Sequence, residues 1–173
     1  CSNHSDYSCI HYWGTLNPMT TGHYSCLTKA VEGLQQRNGN NKIFVVITMN
    51  SIGRAQAKLK PPLDTDFNKK QFILNEHKQK EVVETYGLVL ERDFQVPVFV
   101  LRTPDHTKRL KDICTGDLWS LNGADDMFIK NKLDEIGEKN LIICRREDYS
   151  IDDEVDKPTR DPSRNKTILV GDE

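Results

Sequence analysis

An α/β fold, Rossmann-like, with an open parallel sheet of five to six strands and helices on both faces, is predicted by three features of this 173-residue chain. First, short apolar runs alternate with segments of helical period, the pattern of strands joined by crossover helices. Second, the run Ile43-Phe44-Val45-Val46-Ile47-Thr48-Met49 shows no apolar–polar alternation. A strand of that kind is covered on both faces, as in a parallel sheet. Third, polar clusters follow three of the apolar runs directly: Gly14 to His23, Gly123 to Asp126, and Arg145-Arg146. In open α/β sheets ligands bind beyond the carboxyl ends of the strands, so this architecture would bring the three clusters to one rim.

The first nine residues are polar and are expected to fray. Residues 10–13 read as a strand and 23–36 as a helix, because Leu27, Ala30, Val31 and Leu34 share a helical face. Gly39, in the polar stretch 37–41, suits helix termination. After the second strand, residues 50–68 read as a long basic loop carrying Lys58, Lys60 and Pro61-Pro62. Residues 69–86 read as a helix ending at Gly87, and 96–101 as a strand placed near a sheet edge by Pro97. A short helix over 105–113, a strand over 118–122 and a helix over 127–136 follow. Residues 141–144 form a fifth strand, 147–162 an acidic loop, and 167–170 a final strand. The length suits one domain, spanning 1–173.

A net charge of −2 offers no bulk electrostatic attraction to nucleic acid or to an anionic membrane, so neither is expected as a partner. No apolar run approaches membrane-spanning length, and the start lacks a basic region followed by an apolar segment. The chain begins at Cys1, so an N-terminal piece is expected to be missing. Five cysteines without CxxC spacing point to reduced thiols and an intracellular protein, cytoplasmic or nuclear. Cys26, Cys114 and Cys144 read as small core residues. His11, Trp13 and Trp119 are expected to be packed in strands, and His77 and His106 to be solvated. The run Asp152-Asp153-Glu154 reads as a solvated loop, and no metal-ligating residues are assigned.

The loop after the first strand has the makings of an anion site. A helix start presents unpaired N–H groups and partial positive charge. Gly14 permits close approach, Pro18 stiffens the turn, and His23 stands at the helix start. The chain contains no Gly-x-Ser-x-Gly elbow, no P-loop motif and no Gly-x-Gly-x-x-Gly. What remains suits charge stabilisation at phosphates without covalent catalysis.

The stretch Gly14-Thr15-Leu16-Asn17-Pro18-Met19-Thr20-Thr21-Gly22-His23 resembles the nucleotidylyltransferase signature Gly-x-Phe-x-Pro-x-His/Thr-x-Gly-His, with Leu16 in place of Phe. Its Asn17-Pro18-x-Thr20-x-x-His23 portion looks most like nicotinamide mononucleotide adenylyltransferases. Leu121-Asn122-Gly123-Ala124-Asp125, the strand ending in Arg145-Arg146, and the pair Lys69-Lys70 resemble further segments of that group, in the same order. The resemblance implies His23 and Thr20 as catalytic residues on the ATP phosphates. It implies Gly14, Thr15, Leu16 and Gly22 lining the phosphate site, with Lys69 or Lys70 and one of Arg145 and Arg146 neutralising the triphosphate. Gly123 and Asp125 would meet the ribose.

The implied reaction joins the AMP part of ATP, with Mg²⁺, to a small mononucleotide-like phosphate acceptor and releases pyrophosphate. Nicotinamide mononucleotide, giving NAD, is the first-ranked acceptor. Phosphopantetheine, CTP as donor, and a catalytically weak nucleotide-binding regulatory module stay open, as does homo-oligomerisation. The family's second signature, Ile-Ser-Ser-Thr-x-x-Arg, does not occur, and Asp161-Pro162-Ser163-Arg164 is a poor substitute, so a C-terminal segment is expected to be lacking. The tryptophan that often follows Gly-Ala-Asp in the family has no counterpart in residues 127–133.

Overall fold

The computed structural model describes residues 7–38, 42–53, 73–103, 106–156 and 167–171. Its strands are β1 (Ser8–Gly14), β2 (Ile43–Met49), β3 (Val98–Arg102), β4 (Asp117–Gly123), β5 (Leu141–Cys144) and β6 (Thr167–Val170). All pair in parallel, in the order β3-β2-β1-β4-β5-β6. Between them run α1 (Thr21–Asn38), α2 (Glu76–Phe94), α3 (His106–Ile113), α4 (Ala124–Ile129), a 3₁₀ turn (Leu133–Glu135) and α5 (Ile151–Val155). This is the Rossmann-like open sheet that the alternating pattern predicts.

Successive side chains of a strand point to opposite faces, and each face has its own cover. Ile10, Val45 and Ile47 pack with Leu27, Val31 and Leu34 of α1 and with Val83 and Leu90 of α2. Cys9, Phe44 and Val46 face the other way, toward Leu110 and Ile113 of α3. On that same side, Leu141 and Ile143 meet Ala124 and Met127 of α4 and Ile151 of α5. Every residue of β2 is buried, as its unbroken apolar run requires. β3 is an edge strand, and Pro97 lies just ahead of it with its carbonyl accepting from the Val45 N–H at 2.9 Å. The missing proline N–H therefore interrupts no ladder.

Several boundaries differ from the sequence expectation. Ser8 and Cys9 are buried members of β1 rather than frayed residues. The second helix does not stop at Gly87; α2 continues to Phe94, with Gln95 in the left-handed region donating its N–H to the Glu91 carbonyl. Gly87 is a packing residue: a Cβ there would lie 3.2 Å from Val98 Cγ1, so the glycine lets α2 sit close on β3. The helix expected over 127–136 begins at Ala124 and ends at Ile129, after which the chain tightens into the 3₁₀ turn. The acidic loop over 147–162 contains α5, because Ile151 is only 1% exposed and anchors the turn against β5.

The expectation of uniformly reduced thiols is also corrected. Cys26 and Cys144 are joined as a disulfide between α1 and β5, their Cα atoms 6.0 Å apart, while Cys9 and Cys114 are free. Cys26 and Cys144 are buried, as core residues should be, whereas Cys114 is half-buried. The inference of an intracellular location loses the support it drew from these two residues. No helix among the described residues is long and apolar enough to cross a membrane.

Candidate functional site

The strand order reverses between β1 and β4, and that reversal opens a crevice at the carboxyl ends of the two strands. A cleft of about 300 Å³ occupies it, with Gly14, Thr15, His23, Gly123, Asp125 and Arg146 in its walls. Residues more than 130 positions apart in sequence thus meet in one place, as the three polar clusters predicted. Leu16 lines the same cleft through its backbone turn, while its side chain is 2% exposed and belongs to the core. Its φ of 49° is left-handed, a conformation unfavourable for a branched side chain, and core burial of that side chain holds it there.

Thr20 and His23 form a capping box in which histidine takes the place of the usual glutamate or glutamine. The Thr20 N–H donates to His23 Nδ1 at 2.9 Å, and the His23 N–H reaches back to Thr20 Oγ1 at 3.5 Å. Thr20 Oγ1 also lies 3.1 Å from Nδ1. Because Nδ1 accepts a backbone N–H, a neutral ring must carry its proton on Nε2, leaving that atom as a donor. Burial holds the His23 pKa below its ordinary 6.5, and the Arg146 charge lowers it further against the opposing pull of Asp126. The neighbouring Tyr12 phenol is pushed up to about 12, chiefly by burial and then by Asp126, so it stays protonated. No acidic residue stands in the first turn of α1, so the partial positive charge of the helix start is uncompensated from within the helix. An added Cβ at Gly22 would meet only Thr20 Oγ1, at 3.6 Å, leaving open space above that start.

The His23 ring proton should titrate with a midpoint below 6.5, and protonation must break the Thr20 N–H bond to Nδ1. Native stability contributed by the neutral ring is full above 6.5 and is lost as pH falls through the depressed folded-state midpoint. An NMR titration of the His23 ring checks this; a midpoint above 6.5 would mean that the ring is held as a cation instead.

The two arginines after β5 part company. Arg145 is bound to Asp152 through Nε at 3.0 Å and the second guanidinium nitrogen at 3.2 Å, and it donates to the Gly171 carbonyl at 2.9 Å. It ties β5 to α5 and to the end of β6, so of the pair it is Arg146 that faces the cleft. Arg146 Nε lies 3.7 Å from Asp125 Oδ1. Asp125, expected at a ribose, therefore carries an ion pair across the crevice. Gly123 lets Asp125 sit close, since a Cβ would lie 2.5 Å from Asp125 Oδ1 and would turn that carboxylate aside. Asp152 is a partner of Arg145 rather than part of a solvated loop. Lys69 and Lys70, with Lys58 and Lys60, lie outside the described residues. Among the described residues no group of three or more His, Cys, Asp or Glu is placed to hold a metal ion.

Sequence reasoning did not single out the network that shapes the loop. Gln79 of α2 is fully buried, and its amide donates to the Thr15 carbonyl at 2.9 Å and the Asn50 carbonyl at 3.2 Å. The Arg102 guanidinium donates to Gln79 Oε1 and, at 3.1 Å, to the Glu76 carbonyl. Asn17 exchanges two hydrogen bonds with the Leu74 backbone, at 2.6 and 2.9 Å. Asn50 donates its backbone N–H to the Gly14 carbonyl at 3.1 Å and accepts the Trp13 indole N–H at 2.8 Å. A polar residue on the apolar face of an otherwise amphipathic helix was the available signal for Gln79. His11 behaves as expected, with Nε2 at 2.8 Å from Thr48 Oγ1 in the interior. Trp119 is buried, whereas Trp13 is 46% exposed, against the expectation of a packed strand residue. His77 is solvated and pairs with Glu81; the His106 side chain lies outside the described residues.

Fold and site together define a Rossmann-like α/β protein with a polar, cation-bearing crevice at the switch point of its sheet. No family model matches the chain, and no curated protein matches it.

Proposed function

We propose that this chain is an adenylyltransferase that joins the AMP part of ATP to a phosphate-bearing acceptor, nicotinamide mononucleotide first among them, to give NAD and pyrophosphate. The observation that carries this reading is the capping box: Thr20 occupies Nδ1 of His23 and leaves Nε2 as a donor on a residue lining the crevice. That donor, the N–H groups in the first turn of α1 and the Arg146 guanidinium supply hydrogen bonds and charge without a nucleophile. Phosphoryl-group chemistry can run on positioning and electrostatic stabilisation alone. In the reaction an acceptor phosphate oxygen attacks the α-phosphorus. The bond from that phosphorus to the bridging oxygen breaks, and pyrophosphate leaves with the electron pair. Mg²⁺ would arrive with the ATP phosphates, as this ion commonly does, since the described residues offer no cluster of their own for it.

Pyrophosphate release with Mg²⁺, ATP and a panel of phosphate acceptors tests the reading. Release that depends on nicotinamide mononucleotide is expected. Release with phosphopantetheine alone, or with CTP as donor, would replace the acceptor or donor assignment. ATP binding without release for any acceptor would reject transfer in favour of a nucleotide-binding regulatory module.

A further inference from the structure

The bond between Cys26 and Cys144 stands in the wall of the crevice. Cys26 lines the cleft of about 300 Å³, Cys144 lines a neighbouring cleft of about 620 Å³, and Asp125 and Arg146 border both. From this placement we infer that the Cys26–Cys144 bridge is a reversible redox site. Thiol–disulfide exchange with a small dithiol opens and closes it, and the bridge sets the register of His23 against Arg146. The redox site stands without the adenylyl-transfer reading, on which the expected effect on turnover alone rests.

The two cysteines lie beside the two cationic residues of the crevice. Cys26 follows His23 by three positions, so it stands about one turn further along the same side of α1. Cys144 is the last residue of β5 and precedes Arg146 by two positions. The bridge thus fastens the start of α1 to the end of β5, the two places from which His23 and Arg146 line the crevice. Apolar packing also holds α1, through the fully buried Leu27, Ala30, Val31 and Leu34. All four lie on the carboxyl side of Cys26. Packing therefore keeps the helix on the sheet when the bond opens, while the turn that carries His23 loses its covalent anchor.

A small reagent can reach the bond, because each cysteine lines a cleft; Cys144 is 8% exposed and Cys26 4%. Lys29, Arg145 and Arg146 share the walls of the larger cleft with Asp125, Glu147 and Asp148, so an uncharged dithiol suits it. Exchange begins when one thiolate of the dithiol attacks Cys144 Sγ. The Cys26–Cys144 bond breaks, Cys26 leaves as a thiolate, and a mixed disulfide joins the reagent to Cys144. The second thiolate of the reagent attacks the reagent's sulfur in that mixed disulfide and releases Cys144 as a thiolate. The two protons of the dithiol pass to Cys26 and Cys144. The chain gains two electrons, and the reagent leaves as a cyclic disulfide. Oxidised glutathione, itself a disulfide, reverses the change and leaves as two thiols.

Dithiothreitol added to the folded chain, oxidised beforehand with oxidised glutathione and held without urea, tests the inference. Acid quenching, alkylation in denaturant and peptide mass analysis should find Cys26 and Cys144 blocked before reduction and labelled after it. Oxidised glutathione should restore the bridge. The His23 ring resonances should shift between the two states. The bond joins residues 118 positions apart, so reduction should lower the melting temperature by about 5–15 °C. Pyrophosphate release should fall about tenfold on reduction, as the register of His23 and Arg146 loosens. Cys144→Ala should remove the response to dithiothreitol, while Cys114→Ala, in the cluster on the opposite face of the sheet, should leave it intact. Labelling of Cys26 and Cys144 in the oxidised chain, or reduction that requires urea, would overturn the redox site. Unchanged His23 resonances after complete reduction would overturn its control of the register. Absence of pyrophosphate release in both states, with labelling and resonances responding as expected, would overturn adenylyl transfer and leave the redox site standing.

Discussion

His23→Ala is expected to lower adenylyl transfer by about 10²–10³-fold, the usual effect of deleting one donor aimed at developing charge. His23 lines the crevice at the start of α1, and its Nδ1 is already occupied by the Thr20 N–H. The substitution removes the Nε2 donor and opens one side of the capping box. The Thr20 hydroxyl can still cap α1, so the helix should lose only about 1 kcal/mol. Activity and stability are thereby separated. Pyrophosphate release at saturating ATP, Mg²⁺ and acceptor reports the first, and thermal unfolding the second. An unchanged rate would remove His23 from the reaction. A rate loss accompanied by extensive unfolding would assign it a structural role instead.

Gln79→Leu is expected to destabilise the fold by about 3 kcal/mol, although Gln79 itself is not among the residues that line the crevice. Leucine is close in volume, so the loss is one of hydrogen bonds rather than of packing. The substitution removes the Gln79 amide from the Thr15 and Asn50 carbonyls, the latter keeping a 3.5 Å bond from Arg102, and deprives the Arg102 guanidinium of the Gln79 acceptor. Each buried group left unpaired costs about 1–3 kcal/mol, with partial recovery where Arg102 turns to other acceptors. Urea unfolding measures the effect. The solvated His77→Ala, on the same helix, should change stability by about 0.5 kcal/mol or less. A comparably small loss for Gln79→Leu would mean that water replaces the amide. Because Thr15 lines the crevice, ATP binding should weaken together with stability.

Most of the framework was legible from residue pattern. β2 and β5 have the bounds that their apolar runs predict, since a strand covered on both faces leaves no polar position to blur its ends. The rim convergence of Gly14, His23, Gly123 and Arg146 was likewise readable, because parallel topology dictates where strand ends meet. Gly87 was not, because its role depends on Val98 across the interface, not on its own helix. The capping box was half legible. Thr20 three residues before His23 has the right spacing, but histidine is not the usual partner in that motif.

The separation of like residues shows where local reasoning ends. Arg145 and Arg146 are identical in chemistry and adjacent in sequence, yet one binds Asp152 and Gly171 while the other faces Asp125 across the cleft. Trp13 and Trp119 both lie in strands, but α1 covers Trp119 whereas Trp13 is 46% exposed. By itself the sequence determined the alternation of strands and helices, the parallel sheet and the anion-friendly loop, because these follow from local periodicity and the chemistry of a helix start. Only the tertiary structure decided which arginine lines the cleft, which tryptophan is exposed, and which buried amide holds the loop. Those choices depend on the elements that pack against each side chain, and the crossover connections bring such elements from distant parts of the chain.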